Sequence, residues 1–464
     1  MSHGQYLAER LAEYANRLRY EDLPAEVVHE AKRRFVDSFA TAVGAWHAEA
    51  ARIARRCALR VQSLPPATLL GGGKSSVEWA TFANGLLVRY LDFNDTYLSL
   101  EPAHPSDNLS AIWAVGELAG ATGRDLITAT VLAYEIQCRL CDAASLRRHG
   151  FDHVVYGAIS SCLAACKLLG LEPRRIVHAL GIAAVSNIAL RQTRAGELSM
   201  WKGCAFANAA RNGVFAALLA AEGMTGPAPI FEGELGFMKL ITGPFTLPTL
   251  AGEHGAARAD DFMIRRTYIK FWPAEYHAQS AIDAALRLRP QIESLDDIER
   301  IDIFTFDAAA DIIGKDPEKW RPRTRETADH SLPYCVAVAL YDGEVTLASF
   351  DDQHLHDDQL LRLVAQVQVH RDAHLSARYP QGIPNRVVVQ LRHGKTLTAE
   401  VEYPRGHACN PMTDAELEQK FRALVAPLYG PRRTQTLLEG LWQLDTVSSA
   451  TSLMEMFTLD ESLW

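Results

Sequence analysis

Apolar residues recur at helical spacing through most of the first 220 positions. Residues 5–20 place Leu7, Leu11, Tyr14 and Leu18 on one face. Residues 25–43 follow Pro24 and align Val28, Ala31, Phe35, Phe39 and Ala42. Residues 77–91 are apolar on nearly every face and read as a buried helix. Further helices are predicted over 109–121, 124–145, 154–169, 173–190 and 203–222, with Gly170 and Gly223 where C-caps would lie. Residues 45–75 read as a connector ending in a Gly71–Gly73 run, which lacks the spacing of a phosphate-binding loop. Residues 223–268 turn irregular and rich in Gly and Pro. The period then changes to two. Arg300–Phe306 alternates like a half-buried strand, and 385–391 with 396–403 reads as a hairpin about Gly394. Helical patterns persist at 278–289 and 329–341. Thr413 and Glu416 form a capping box that opens a helix. The pattern predicts a mainly α protein. Residues 1–268 plus 405–464 form a large all-helical domain, and 269–404 form a smaller α+β domain inserted before the C-terminal helices.

Composition changes this picture little. The 464 residues suffice for a large core, and 48% hydrophobic with 22% charged side chains is ordinary for a globular chain. The balance of 47 basic and 56 acidic groups, net −9, argues against a nucleic-acid partner. No uninterrupted apolar run is read as a membrane span, and the N-terminus lacks a signal-type apolar core, so a cytoplasmic setting is expected. The eight cysteines are scattered through apolar surroundings and are expected as reduced, buried thiols. Neither Cys138/Cys141 nor Cys162/Cys166 has the spacing of a zinc or iron–sulfur site, and no metal or other cofactor is expected. The polar run Asp351–Asp358 carries ligand-type residues but is read as a solvated surface.

Between two apolar helices lies LDFNDTYLSLEPAHPSDN, residues 91–108, dense in Asp, Asn, Thr, Glu, His and Ser. It ends where Pro105 or Ser106 opens a helix, an end that favours a bound anion, with His104 beside it. Acid–base groups next to such an end are a reasonable active-site seed. The alternative is a hydrated connector in which Asp107 serves the helix dipole.

DFNDTY followed by EPAHPSDN resembles the signature of the MmgE/PrpD family. Similar stretches are GFDHVVYGA (150–158), SMWKGCAFANAARNG (199–213), FWPAEYHAQSAIDAA (271–285), DHSLPYCVAVAL (329–340) and YPRGHACNPMTDAELEQKF (403–421). The resemblance covers nearly the whole chain. It implies a helical domain with an α+β lid, an active site between them, a homodimer, and a small di- or tricarboxylate substrate. It also implies site residues: Asp92, Thr96, His104, His153, Lys202, Lys270 and Tyr334. Where decarboxylases of the family carry His after Pro-Ala, this chain has Glu275, with His277 two residues on. That departure argues against decarboxylation.

The chemistry implied is metal-independent removal of water from methylcitrate or citrate to give a cis-aconitate-type product. The proton lost lies next to a carboxylate, so its removal builds charge that cations and donors must stabilise, and the departing hydroxyl must be protonated. One of His104, His153 or Asp92 would act as base and another as proton donor. Lys202 and Lys270 would hold carboxylates, joined by Thr96, Glu275, His277 and Tyr334 in substrate binding, and Arg191 and Arg194 could add positive charge. Two other readings remain open: decarboxylation of cis-aconitate or epimerisation of an acidic substrate, since fold does not fix reaction, and a non-catalytic helical scaffold.

Overall fold

The computed structural model of the protein describes residues 5–196 and 198–460. They divide into two units. The first comprises the chain to Gly196, Met200–Thr267 and the segment from Thr413 onward. The second comprises residues 198–199 and Tyr268–Met412.

The first unit is helical: α1 Leu7–Arg17, α2 Ala25–Gly44, α3 Glu49–Ala58, α4 Val77–Tyr90, α5 Leu109–Ala119, α6 Gly123–Ala143, α7 Val154–Leu168, α8 Pro173–Ser186 and α9 Trp201–Ala221. Residues Leu109–Gly116 of α5 and Val154–Cys166 of α7 are buried on every face, which is why no amphipathic stripe marks them. Missing side chains set the helix spacing. A Cβ at Gly85 would fall 2.7 Å from Ser110 Oγ and 3.1 Å from Ala207 Cβ, so α4 approaches α5 and α9 closely only because it carries none there. Aromatic stacking fills the gap between α2 and α5, with Phe39 and Trp113 ring centroids 4.2 Å apart. The Thr413–Glu416 capping box opens the helix Asp414–Trp442, which packs on α2 and is interrupted at Gly430.

Three details differ from the sequence pattern. The 45–75 connector contains α3 and a short hairpin, β1 Ala67–Thr68 and β2 Lys74–Ser75. The stripe of α3 is only alanine (Ala50, Ala51, Ala54, Ala58), too weak a signal to stand out. The helix predicted to Leu190 stops at Ser186, because the chain beyond it pairs elsewhere: Ala189 O accepts the Asp152 N–H at 2.9 Å, and Leu190 bridges Phe151. Finally, α9 is long and apolar enough to cross a bilayer by length and composition, contrary to expectation. It packs against α4, α7 and α8, and 61% of its apolar window is buried.

The second unit centres on a four-stranded sheet of order β4-β3-β5-β6: β3 Ile298–Thr305, β4 Val367–Arg371, β5 Asn385–Leu391, β6 Thr396–Val401. β3 is parallel to β4 and antiparallel to β5, and β5 is antiparallel to β6. Helix α10, Gln279–Leu288, lies against β5 and β6, and the helix Leu332–Asp342 against β4. The pattern missed β4, a five-residue edge strand with only Val367 fully buried. This unit runs on to Met412. His407 stacks on Tyr268 at 4.4 Å, and Gly406, with φ +94°, passes so near the Ile269 carbonyl that no Cβ would fit. All eight cysteines are free; six are buried, Cys57 is half-buried and Cys409 is exposed.

Candidate active site

The helix α4 ends at Tyr90, and the chain turns at Asp92 with φ +51°, the only non-glycine positive φ among the described residues. Aspartate tolerates this region better than most residues, yet the turn still stores strain, a feature that clusters at functional sites. The Asp92 carboxylate is fully buried. It pairs with the Arg89 guanidinium and lies 3.8 Å from Lys202 Nζ. Arg89 also lies 3.1 Å from His104 Nε2 and 3.8 Å from Asp107 Oδ2.

These contacts fix the tautomer of His104. Its Nδ1 sits 2.8 Å from the Asp95 carbonyl, which can only accept, and its Nε2 faces Arg89, which can only donate. His104 is therefore neutral, with its proton on Nδ1. The helix end at Pro105 is not left open for an anion. Asp95 Oδ1 accepts the Ser106 N–H at 3.0 Å, while Oδ2 accepts the Tyr134 hydroxyl at 2.6 Å and lies 3.6 Å from Arg34 Nε. Asp95, rather than Asp107, serves that helix end. Asp107 instead accepts from Asn94 at 2.8 Å, and burial pushes its carboxyl up to about 8 despite the opposing charge of Arg89. Thr96 closes the loop, donating to Ala103 O at 3.1 Å within the Tyr97–Ala103 bridge.

His153 stands at the start of α7, its ring centroid 5.8 Å from that of His104. Its Nδ1 lies 2.8 Å from Asp152 Oδ1, and its buried Nε2 has no hydrogen-bond partner among the described residues. Arg194 Nε is 3.0 Å from Asp152 Oδ2, and Arg194 Nη1 donates to Lys202 O at 3.1 Å. Burial works to raise Asp152, but Arg194 and His153 overcome it and hold the carboxyl well below the usual range. Burial lowers His153 against the pull of Asp152, so its imidazole stays neutral. Four expected residues, Asp92, His104, His153 and Lys202, thus gather in one buried cluster with Arg89, Asp107, Asp152 and Arg194. The sequence reading passed over Arg89, although it is the only charged side chain of α4 beyond the first turn. Asp152 was equally visible as the acid preceding His153.

A second layer braces the loop. Lys420, from the helix Asp414–Trp442, donates to the Phe93 carbonyl at 2.7 Å, lies 3.7 Å above the Phe93 ring and 2.6 Å from Asp37 Oδ1. Burial raises the Asp37 carboxyl, and Lys420 opposes that rise.

The second unit has a cluster of its own. Glu275 accepts the His277 N–H at 2.8 Å and lies 2.7 Å from His277 Nδ1, and His277 Nε2 is 3.3 Å from the Tyr379 hydroxyl. His330 Nδ1 is 2.5 Å from Asp329 Oδ1. Burial works to raise Glu275, but His277, His330 and Lys270 hold it down at about 2. Lys270 is almost wholly buried. Tyr334 does not join this group: its hydroxyl donates to the Ser349 carbonyl at 2.9 Å and its ring packs on Phe350. In the polar run 351–358, Asp351 and Asp357 cap short helices. Among the described residues no group of three or more His, Cys, Asp or Glu is arranged to hold a metal ion.

Comparison with known proteins shows the family. Residues 9–249 match the MmgE/PrpD N-terminal domain and residues 272–444 the MmgE/PrpD C-terminal domain. The chain is 30% identical over 392 residues to 2-methylcitrate dehydratase of Escherichia coli, covering 78% of this chain and 77% of that one. It is 32% identical over 386 residues to 2-methylcitrate dehydratase of Cupriavidus necator, covering 77% of each. It is also 32% identical over 377 residues to an alkylcitrate dehydratase of a fungal species, covering 75% of this chain and 72% of that one. The chain belongs to the MmgE/PrpD family.

Proposed function

We propose that this protein is a hydro-lyase that removes water from a hydroxy-tricarboxylate of the methylcitrate or citrate type. The observation that carries the reading is the His104–His153 pair, set among Arg89, Lys202 and Arg194 in a buried cluster of opposed charges. The dehydratase relatives support the same reaction class.

His153 is the base. Its Nε2 carries a lone pair that no group among the described residues uses, and the Asp152 carboxylate lies 2.8 Å from Nδ1 on the other side of the ring. That nitrogen takes the proton from the carbon beside a carboxylate. The electron pair left behind forms the new C=C bond as the neighbouring C–O bond breaks. Lys202 gives its proton to the leaving oxygen, so that water departs. Arg89 and Arg194 offset the charge that builds on the carboxylate next to the reacting carbon. His104, neutral and fixed by the Asp95 carbonyl, orients Arg89. These cations supply what a Lewis-acidic metal would otherwise contribute, and the reaction is proposed to be metal-independent. A homodimer in the cytoplasm belongs to the same proposal, and sedimentation checks the first part.

The test is product analysis by NMR. Chelator-treated protein is incubated separately with 2-methylcitrate, citrate and cis-aconitate in deuterated buffer. An unsaturated tricarboxylate from methylcitrate or citrate is the expected result. Itaconate from cis-aconitate would move the protein to decarboxylation. Solvent deuterium entering a substrate without loss of water would point to epimerisation. Silence on all three would sink the reading.

A further inference from the structure

Beside the His153 cluster lies a cavity of about 360 Å³ that the mechanism does not use. Two chain segments form it. The first is the stretch that leaves α8 at Ser186, including Asn187, Leu190 and Gln192. The second is one face of α9, where Trp201, Ala205, Asn208 and Asn212 recur at helical spacing.

The walls adjoin the candidate catalytic residues. Ala189, in the first segment, accepts the Asp152 N–H, and Thr193 precedes Arg194. On α9, Trp201 precedes Lys202.

The chemistry of the lining is distinctive. Among the described residues none that lines the cavity is ionisable, so none of them offers a counter-charge to a further carboxylate. Three asparagines and a glutamine line it instead. Asn212 donates to Asn187 Oδ1 at 2.8 Å, and the buried Asn187 Nδ2 has no hydrogen-bond partner among the described residues. A buried donor of that kind calls for an acceptor. Trp201, 48% exposed, presents an apolar ring beside these amides. The volume is in the range of small-molecule sites and far exceeds a methyl group.

We propose that this cavity is a subsite for an uncharged, oxygen-bearing substituent on the substrate carbon that loses its proton. A hydroxyalkyl arm fits both features: its oxygen accepts from Asn187 Nδ2 and its methylenes lie on Trp201. A plain alkyl arm would fill the space but leave the amides desolvated and unpaired. A bare methyl would leave the cavity unfilled. The inference rests on the dehydratase reading and extends its substrate class beyond methylcitrate.

The experiment compares citrates that carry methyl, propyl or 3-hydroxypropyl on that carbon. In the unaltered protein kcat/KM for the hydroxypropyl compound is expected to exceed that for the propyl compound by about tenfold or more. In Asn187→Leu the ratio should fall to about one, and in Asn208→Leu it should fall part of the way. A ratio of two rates on one preparation does not depend on how much of the variant is folded, so a destabilised variant still reports. Equal rates for propyl and hydroxypropyl in the unaltered protein would overturn the subsite while leaving the dehydratase reading intact. So would a preference that survives both substitutions. No turnover of any of the three would overturn the dehydratase reading and the subsite together.

Discussion

Each unit buries a histidine beside a carboxylate, and the two pairs have nearly the same nitrogen–oxygen distance, although only the second is aligned as a hydrogen bond. His153 Nδ1 lies 2.8 Å from Asp152, and His277 Nδ1 lies 2.7 Å from Glu275. They differ at the far nitrogen. His277 Nε2 meets the Tyr379 hydroxyl, and Glu275 is further tied to the His277 backbone. His153 Nε2 has no hydrogen-bond partner among the described residues, and its carboxylate neighbour is held by an arginine whose other arm reaches the Lys202 carbonyl. A carboxylate that fixes a ring makes either a brace or a base. Whether the other lone pair is left for a reacting proton decides which.

Substitution tests the contrast most directly. His153→Gln should lower kcat by about 10²–10⁴-fold, the usual worth of a positioned base, with little change in melting temperature. His277→Gln should show the reverse emphasis: a clear loss of stability and a smaller loss of kcat. If the two variants lose turnover equally, the far-nitrogen argument fails.

The pH profile sharpens the same point. Burial depresses His153, so its lone pair persists below the ordinary histidine value of about 6.5. The acid limb of kcat/KM should therefore lie below pH 6.5 in the unaltered protein. The sign for stability follows from the same shift. The unfolded chain takes up the proton first, so this histidine's contribution is full above about pH 6.5 and is lost as pH falls through the folded value. His153→Gln should flatten that slope in denaturant titrations. An acid limb above pH 6.5 would remove His153 as the base.

Lys420 makes a smaller but separable prediction. It joins buried Asp37 to the carbonyl of Phe93, next to the strained turn at Asp92. Lys420→Met strands the Asp37 carboxyl and should cost about 3–5 kcal/mol in denaturant unfolding. Adding Asp37→Leu should recover most of that stability, since an apolar pair can replace a buried ion pair. Turnover should stay reduced in the double variant, because the Phe93 carbonyl is still unheld. Recovery of both would make Lys420 purely structural.

Much of this was legible in the sequence, for physical reasons. Helices α1 and α2 showed because apolar residues recur on one face, the buried α5 and α7 because they are long apolar runs, and β3, β5 and β6 because their alternation is clear. Helix α3 and strand β4 were missed because each buries too few large side chains. Asp92, His104, His153 and Lys202 stood out as polar residues in motifs between apolar runs. The partners that give them function did not. Lys420 reaches Phe93 across 327 positions of chain, and no local pattern records such a pairing. The alternative reading gave the helix end at Ser106 to the nearby Asp107, whereas Asp95, eleven residues upstream, accepts its N–H. The end of α8 was set too late because its cause, the bridge to Phe151, lies far away in sequence.

The smallest expected effect concerns Tyr334, which the family motif marks as a site residue. Its hydroxyl donates to Ser349 O inside the second unit, and its ring is fully buried against Phe350. Tyr334→Phe keeps the ring and removes one hydrogen bond. It leaves a buried carbonyl short of a donor, so unfolding should become easier by about 1–3 kcal/mol. If the hydroxyl is only structural, kcat and KM stay within about twofold once the fraction folded is accounted for, since twofold is about 0.4 kcal/mol in the barrier. A larger rise in KM at unchanged kcat would mean that the hydroxyl turns from Ser349 to the substrate on binding. The far-nitrogen criterion would then be too narrow, because a group committed in the ligand-free protein would have become available in the complex.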